Sequence, residues 1–474
     1  MSIHRGKVTA VNRAHRGFLV VLLGAFMFWA PVADLSAADS PYKGLTLRFL
    51  TSANVHQKAM GKQLEKIAKE WGIQLDVRYV TTDELAKKVV LDYVGGADTW
   101  DLVYTGGVQR MFEWYEGGIL EDIAPLMKKV GDSKVLDWNG FTDGAKNAVK
   151  LGDKVLGLAM ATSDQALAYR ADLFRNTDEK AAFKQKFGHD LVVPDTYKQY
   201  RDVAQFFTRK KGEKLAGNVL ANDFYGVTYA NKNGTFLWHS YENVILAFGV
   251  QVYDPKTRKV GLTSPVAIEA AKFYQSLLPY MPPGHINMSS AETTNNFVNG
   301  QAAMLIEYFD RIIGSVGQEK SRIKPEQVGY AFPPTQEGNP LGRKHAFRSG
   351  PAVVGVFGRS KNKEAAYKLL EASVSNDSQV QMMHESPGYM PTKLAALKQL
   401  AREQPVVDYL IKVSAADICA CTDAVVLPYP SILKSSEIGD IVSIAVSAIL
   451  TGSKVEDEMA KAQAAVEKAV ATLK

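Results

Sequence analysis

Cysteine is nearly absent from this chain: among 474 residues there are two, Cys419 and Cys421, separated by one alanine. An oxidising compartment would favour pairing them, but a ring closed over one residue is small and strained. They read as a strained or partial disulfide, or as two thiols without a function. A soft-metal site is the alternative, and no second ligand cluster supports it. Equally missing are a Gly-x-Ser-x-Gly elbow, a His-Glu-x-x-His helix, a P-loop and an EF-hand loop, each of them short because its chemistry fixes the spacing. His384-Glu385 has no second histidine one helical turn on. Outside the first segment the histidines are scattered, at His56, His189, His239, His285, His345 and His384, and no metal site is expected. Carboxylates are too numerous for any pair to stand out as acid and nucleophile, which meet across a fold and not along a chain.

Charge of one sign is also lacking. The formal net charge is +6, and it falls to +3 without residues 1–38, which hold four basic residues and one acid. With no long basic run, this is far from the footprint of a nucleic-acid binder, and no nucleic-acid partner is expected.

The one apolar run of note lies near the start. Arg5, Lys7, Arg13 and Arg16 precede Phe18 to Ala33, and the small residues Ser36, Ala37 and Ala38 follow. Basic, then apolar, then small is the order of a secretory signal peptide, with cleavage expected after Ala38. An uncleaved anchor is the alternative, although the run is shorter than the roughly 20 residues that span a bilayer. No cysteine lies near the cleavage site, so a lipid anchor is disfavoured, and a soluble periplasmic protein is expected.

What remains is long enough for two domains. Leu45 to Leu50 alternates apolar and polar residues like a half-buried strand. Met60, Leu64, Ile67, Ala68 and Trp71 recur at helical spacing, Gly72 stops the helix, and Leu75 to Val80 reads as the next strand. Strand, helix, strand with short connections is the sequence form of a right-handed α/β crossover. A helix over 82–93, a strand at Asp101 to Tyr104, a Gly106-Gly107 turn and an aromatic helix around Met111 to Tyr115 continue it. Lys154 to Ala159 and Ala352 to Phe357 read as strands, and the chain beyond Asn362 as mostly helical. The N-terminal part is therefore α/β.

Phe297-Val298-Asn299-Gly300-Gln301-Ala302-Ala303-Met304-Leu305-Ile306 resembles the signature of the family 1 extracellular solute-binding proteins, the capture components of carbohydrate-type ABC importers. Other segments resemble that family in its own order: Asp101 to Tyr104 followed by Gly117 to Ile123, Lys154 to Ala159 with Tyr169 to Phe174, Pro194 to Tyr197, Ser360 to Ala366, and Gly388 to Thr392. Ala159 stands where the family usually has proline and Tyr197 where it usually has tryptophan, which leaves the ligand open. The resemblance implies an α/β, two-lobed periplasmic-binding-protein fold, each lobe a central mixed β-sheet flanked by helices, with three hinge crossings expected near residues 161–164, 306–310 and 386–391. Residues 39–161 and 307–386 would form the first lobe, and 162–306 and 387–474 the second.

It implies a monomer that captures a small polar solute, without cofactor or catalytic turnover, for an inner-membrane ABC permease. A neutral sugar or polyol is favoured. Alternatives are glycerol phosphate or another anion, a sensory binding protein, and a periplasmic carbohydrate-active enzyme. The cleft residues it suggests are Thr105, Gly106 and Gly107 after a strand, Ser163 and Asp164 at the first crossing, and Trp238 and His239 in an aromatic segment. Tyr308 and Asp310 would stand at the second crossing, Arg348 before a strand, Tyr389 at the third crossing, and Tyr429 in a proline-flanked loop. Carboxylates accept paired hydroxyl hydrogen bonds, an indole covers the apolar face of a sugar ring, and an arginine pairs with an anion.

Overall fold

In the computed structural model, residues 40–254, 257–338, 345–347, 350–403, 424–426 and 434–471 are described. Leu47 and Phe49 alternate with Thr46 and Arg48 along β1 (Thr46–Ser52), apolar side inward. The Asn54 side chain then caps α1 (Val55–Glu70) by accepting a hydrogen bond from the Gln57 amide at 3.1 Å. Met60, Leu64 and Ala68 of α1 bury against the sheet. β2 (Gln74–Val80) pairs in parallel with β1, as a right-handed crossover requires. After α2 (Thr82–Val94), β3 (Leu102–Tyr104) pairs in parallel with the other side of β1 and leads into α3 (Val108–Glu116).

The strand expected over 154–159 is broken in two. Lys154–Val155 closes a hairpin with Lys150–Leu151, and only β4 (Leu158–Ala161) joins the sheet. Three residues, Thr162 to Asp164, carry the chain from β4 to β5 (Gln165–Arg170), the first strand of a second sheet. That sheet is built with α4 (Tyr197–Phe207), β6 (Tyr225–Thr228), α5 (Thr235–Ala247), α6 (Ser290–Val298), β7 (Ala302–Tyr308), α7 (Phe309–Ile313) and β8 (Val328–Ala331). β9 (Ala352–Val356) then returns to the first sheet, antiparallel to both β3 and β4. The helices α8 (Lys363–Ser373), α9 (Asn376–Glu385), α10 (Leu394–Glu403), α11 (Ser435–Leu450) and α12 (Val455–Val470) follow.

The strand orders are β2-β1-β3-β9-β4 in the first sheet and β6-β7-β5-β8 in the second, both mixed. Each sheet has a separate apolar core. Met304 and Ile306 of β7 face the core shared with α5, α11 and α12. Leu305, one residue out of phase, faces the other side with Phe309, Met383 and Leu397. In one respect the chain departs from the expected division, which put residues 307–386 in the first lobe. β8 pairs with β5, Val328 to Ala331 against Arg170 to Leu167, so the return to the first sheet comes between Phe332 and Pro351. The apolar Val-Gly-Tyr-Ala of β8 completes the exposed side of β5, which would otherwise leave unpaired backbone groups.

Candidate functional site

The first crossing builds the floor of the site. Thr162 is tied to Met390 by two backbone hydrogen bonds of 2.7 and 2.9 Å, and Ser163 to Gly350 by two of 3.3 and 2.9 Å. Ser163 and Asp164 are thus fixed where strands of both sheets end, the general position of ligand sites in open α/β sheets. Asp164 accepts from the Thr162 hydroxyl at 2.9 Å, and its carbonyl accepts from the Phe309 amide at 2.9 Å. The latter holds the start of α7, and with it Asp310, over the crossing. The Ser163 hydroxyl donates to Asp310 Oδ1.

Asp310 is buried, and its other oxygen lies 2.9 Å from His56 Nε2. Burial alone would raise the Asp310 pKa, but the His56 and Ser163 hydrogen bonds and the His56 and Arg311 charges outweigh it and hold the carboxyl below its ordinary value. His56 Nδ1 is 2.6 Å from the Ser386 hydroxyl, and its ring stacks on Tyr389 at 4.7 Å between centroids. The Tyr389 hydroxyl accepts from Gln57 Nε2 at 2.9 Å and is hydrogen-bonded to Tyr104 at the end of β3. Burial drives the Tyr389 pKa well up and that of Tyr104 to about 12, so both hydroxyls stay protonated donors. On the second-lobe side the Tyr308 hydroxyl is 3.3 Å from His239 Nδ1, and the Arg311 guanidinium sits 5.1 Å over the Tyr308 ring. Glu307, on the opposite face of β7, is buried, and burial raises its pKa against the charge of Arg311 at 3.5 Å.

Of the residues proposed from sequence, Ser163, Asp164, His239, Tyr308, Asp310 and Tyr389 come together here. Thr105 does not turn toward them: it is fully buried, and both its amide and its hydroxyl bond to the Val353 carbonyl, at 3.0 and 3.3 Å. Gly106 and Gly107, with φ of 68° and 149°, make the turn before α3 that side chains resist. Trp238 lies apart, 7% exposed in the second-lobe core. On α5 it shares a face with Tyr241 and Ile245, and Gly439 of α11 packs so near that a Cβ there would come 2.8 Å from the indole. Helical periodicity explains this, since that face lies between the sheet and α11. Arg348, Tyr429, Cys419, Cys421 and residues 1–38 lie outside the described residues.

The sequence reading missed His56, Gln57, Tyr104 and Ser386. The rule that ligands meet strand ends applied to β1 as it did to β3, and the Asn54 cap marks where β1 gives way to a helix; that signal was present. Among the described residues no three His, Cys, Asp or Glu side chains are grouped to hold a metal ion, and no helix is long and apolar enough to cross a membrane. The polar groups that meet here are hydroxyls and imidazoles, with carboxylates as acceptors, arriving from both lobes, a set able to hydrogen-bond a polar solute reversibly.

Residues 55–380 match the family model described as bacterial extracellular solute-binding protein. A Brucella abortus protein described as a binding protein is 26% identical over 406 residues, 84% of this chain and 86% of its own. Among solved structures, an ABC transporter solute-binding protein of Agrobacterium radiobacter in complex with ribitol superposes with a TM-score of 0.71 at 20% identity, over 90% of this chain and 100% of its own. Maltose-bound MalE3 of T. maritima gives a TM-score of 0.69 at 20% identity, over 89% of this chain and 98% of its own. Two mixed sheets joined at strand ends, a site where both lobes meet, and a family match across most of the chain agree: this protein belongs to the bacterial extracellular solute-binding proteins and has their two-lobed fold.

Proposed function

We propose that the protein captures a small neutral sugar or polyol between its lobes in the periplasm and presents it to the permease of an ABC importer. The observation that carries this reading is the meeting of Asp310, Asp164, Ser163, Tyr308 and His239 with His56 and Tyr389 at one point between the sheets. Carboxylates that accept and tyrosines that donate match the alternating hydroxyls of a polyol. The ribitol and maltose complexes of similarly folded proteins point the same way. Capture needs no bond chemistry, because a solute that binds the closed arrangement better than the open one shifts the population toward it.

A thermal-shift screen over ribitol, mannitol, maltose, monosaccharides, glycerol 3-phosphate and amino acids tests it. A solute at about a hundred times its Kd adds roughly 2.7 kcal/mol to the native state. Stabilisation by a neutral sugar or polyol, recovered chemically unchanged, is the expected result; stabilisation confined to amino acids or to phosphorylated compounds overturns it.

A further inference from the structure

His56 belongs to the first lobe, in the first turn of α1, while Asp310 belongs to α7, directly after the second-sheet strand β7. The imidazole joins them: Nε2 meets Asp310 Oδ2 at 2.9 Å, and Nδ1 meets Ser386 Oγ at 2.6 Å beyond the end of α9. Both ring nitrogens are engaged by protein atoms, and one face of the ring is covered by Tyr389. The second Asp310 oxygen is taken by the Ser163 hydroxyl on the first crossing. The pair is shielded, with side-chain exposures of 17% for His56 and 9% for Asp310. It therefore connects the lobes directly, at the point where the other cleft side chains converge.

We propose that His56 and Asp310 form a clasp that biases the solute-free protein toward the closed arrangement of its lobes. If the lobes part, the carboxylate and the imidazole separate and return to water, so their hydrogen bond belongs to the closed form alone. Ser386 supports the clasp by fixing the ring orientation, since Nδ1 on its hydroxyl leaves Nε2 aimed at Asp310. For solute capture, a consequence that rests on the function proposed above, the clasp is a competitor: a solute hydroxyl that reaches Asp310 takes the place of His56. Solute then enters by exchange of partners at one carboxylate, and not by closing an empty, fully hydrated cleft.

The test needs no solute, which keeps its failure distinct from a failure of the sugar or polyol reading. Small-angle X-ray scattering of the solute-free protein, with its His56→Ala, His56→Gln and Asp310→Asn variants, reports the mean lobe separation. We expect His56→Ala to lower the closed-to-open ratio by about tenfold and to enlarge the radius of gyration. His56→Gln, which keeps an N–H donor, restores part of the compaction, and the double variant His56→Ala/Asp310→Asn opens no further than either single change. Ser386→Ala leaves the carboxylate and imidazole in place and gives a smaller shift in the same direction, so the test stands even if His56→Ala fails to fold. A wild-type profile as extended as that of His56→Ala, or full additivity in the double variant, overturns the clasp; for a His56→Ala that does not fold, an unaltered Ser386→Ala profile does so.

Discussion

Asp310 shows how a buried carboxylate stays ionised: its hydrogen bonds and neighbouring positive charge exceed the cost of burial, so its folded-state pKa lies below the ordinary one. A carboxyl of that kind adds stability above its unfolded pKa and loses it as pH falls through the folded one. Asp310→Asn is accordingly less stable than the wild type near neutrality, and the gap closes on acidification, which urea titrations at successive acidic pH values would measure. Lys393 runs the other way. Buried on the segment after the third crossing, its ammonium donates to the Val135 carbonyl at 2.9 Å and lies 5.0 Å over Phe141, and burial lowers its pKa to about 8. Between that value and the unfolded one the unfolded chain holds the extra proton, so stability rises with pH over this window. The wild type should gain on Lys393→Met from about pH 8 to about pH 10 in the same assay; a constant difference would show that the ammonium is not desolvated. For Trp238, packed over Gly439, the expected effect of Trp238→Ala is a loss of roughly 3–5 kcal/mol of folding stability from the emptied core volume, read in a denaturant melt.

Among the elements, the short links between the sheets supply Ser163, Asp164, Asp310 and Tyr389 to the candidate site, while the long helices α1 and α5 supply His56 and His239. α7 has five residues, and the third crossing presses against it so tightly that a Cβ on Gly388 would collide with the Asp310 backbone. Gly388 also has a φ of 94°, a conformation that side chains resist. Gly388→Ala should therefore cost on the order of 1–3 kcal/mol from backbone strain with the collision added, and should displace Asp310 from His56. A melt gives the first effect and solute-free scattering the second; a variant as stable and as compact as the wild type would show that the segment adapts. By contrast α2, whose Thr81–Glu84 capping box fixes its start, ends in the exposed Leu91 and Val94, well along the chain from these links.

At the scale of the whole molecule, the apolar side chains among the described residues pack in one cluster around the first sheet and one on each side of the second, and the sheets are linked by crossings, an arrangement that lets lobes move as units. Closure then depends on the small difference between polar contacts across the cleft and water around the same groups. Solute binding and the clasp act on that one equilibrium, so a solute that stabilises the protein in the thermal screen should leave the closed form compact in His56→Ala as well. Scattering of that variant with saturating solute measures this, and a persistently extended profile would show that His56 is needed for closure itself.

Local pattern by itself determined much of this protein. The alternation in β1, the helical spacing of α1 and the strand–helix–strand order specify an α/β sheet, because a two-residue or 3.6-residue period decides which side of an element is apolar. The Gly-Gln-Ala-Ala-Met stretch and its companions in order identified the family, and that resemblance pointed to Ser163, Asp164, Tyr308, Asp310 and Tyr389 at the crossings and to His239 in an aromatic segment. What only the tertiary structure decided is which of these face one another. That β8 belongs with β5 depends on an open sheet edge, which no local pattern of Val328 to Ala331 encodes. Trp238 reads alike from sequence whether it covers a ligand or a core, and the packing of α11 against α5 put it in the core. The meeting of His56, Asp310 and Ser386 joins residues from three distant parts of the chain, and a contact of that kind exists only once both sheets have formed and the crossings have brought their ends together.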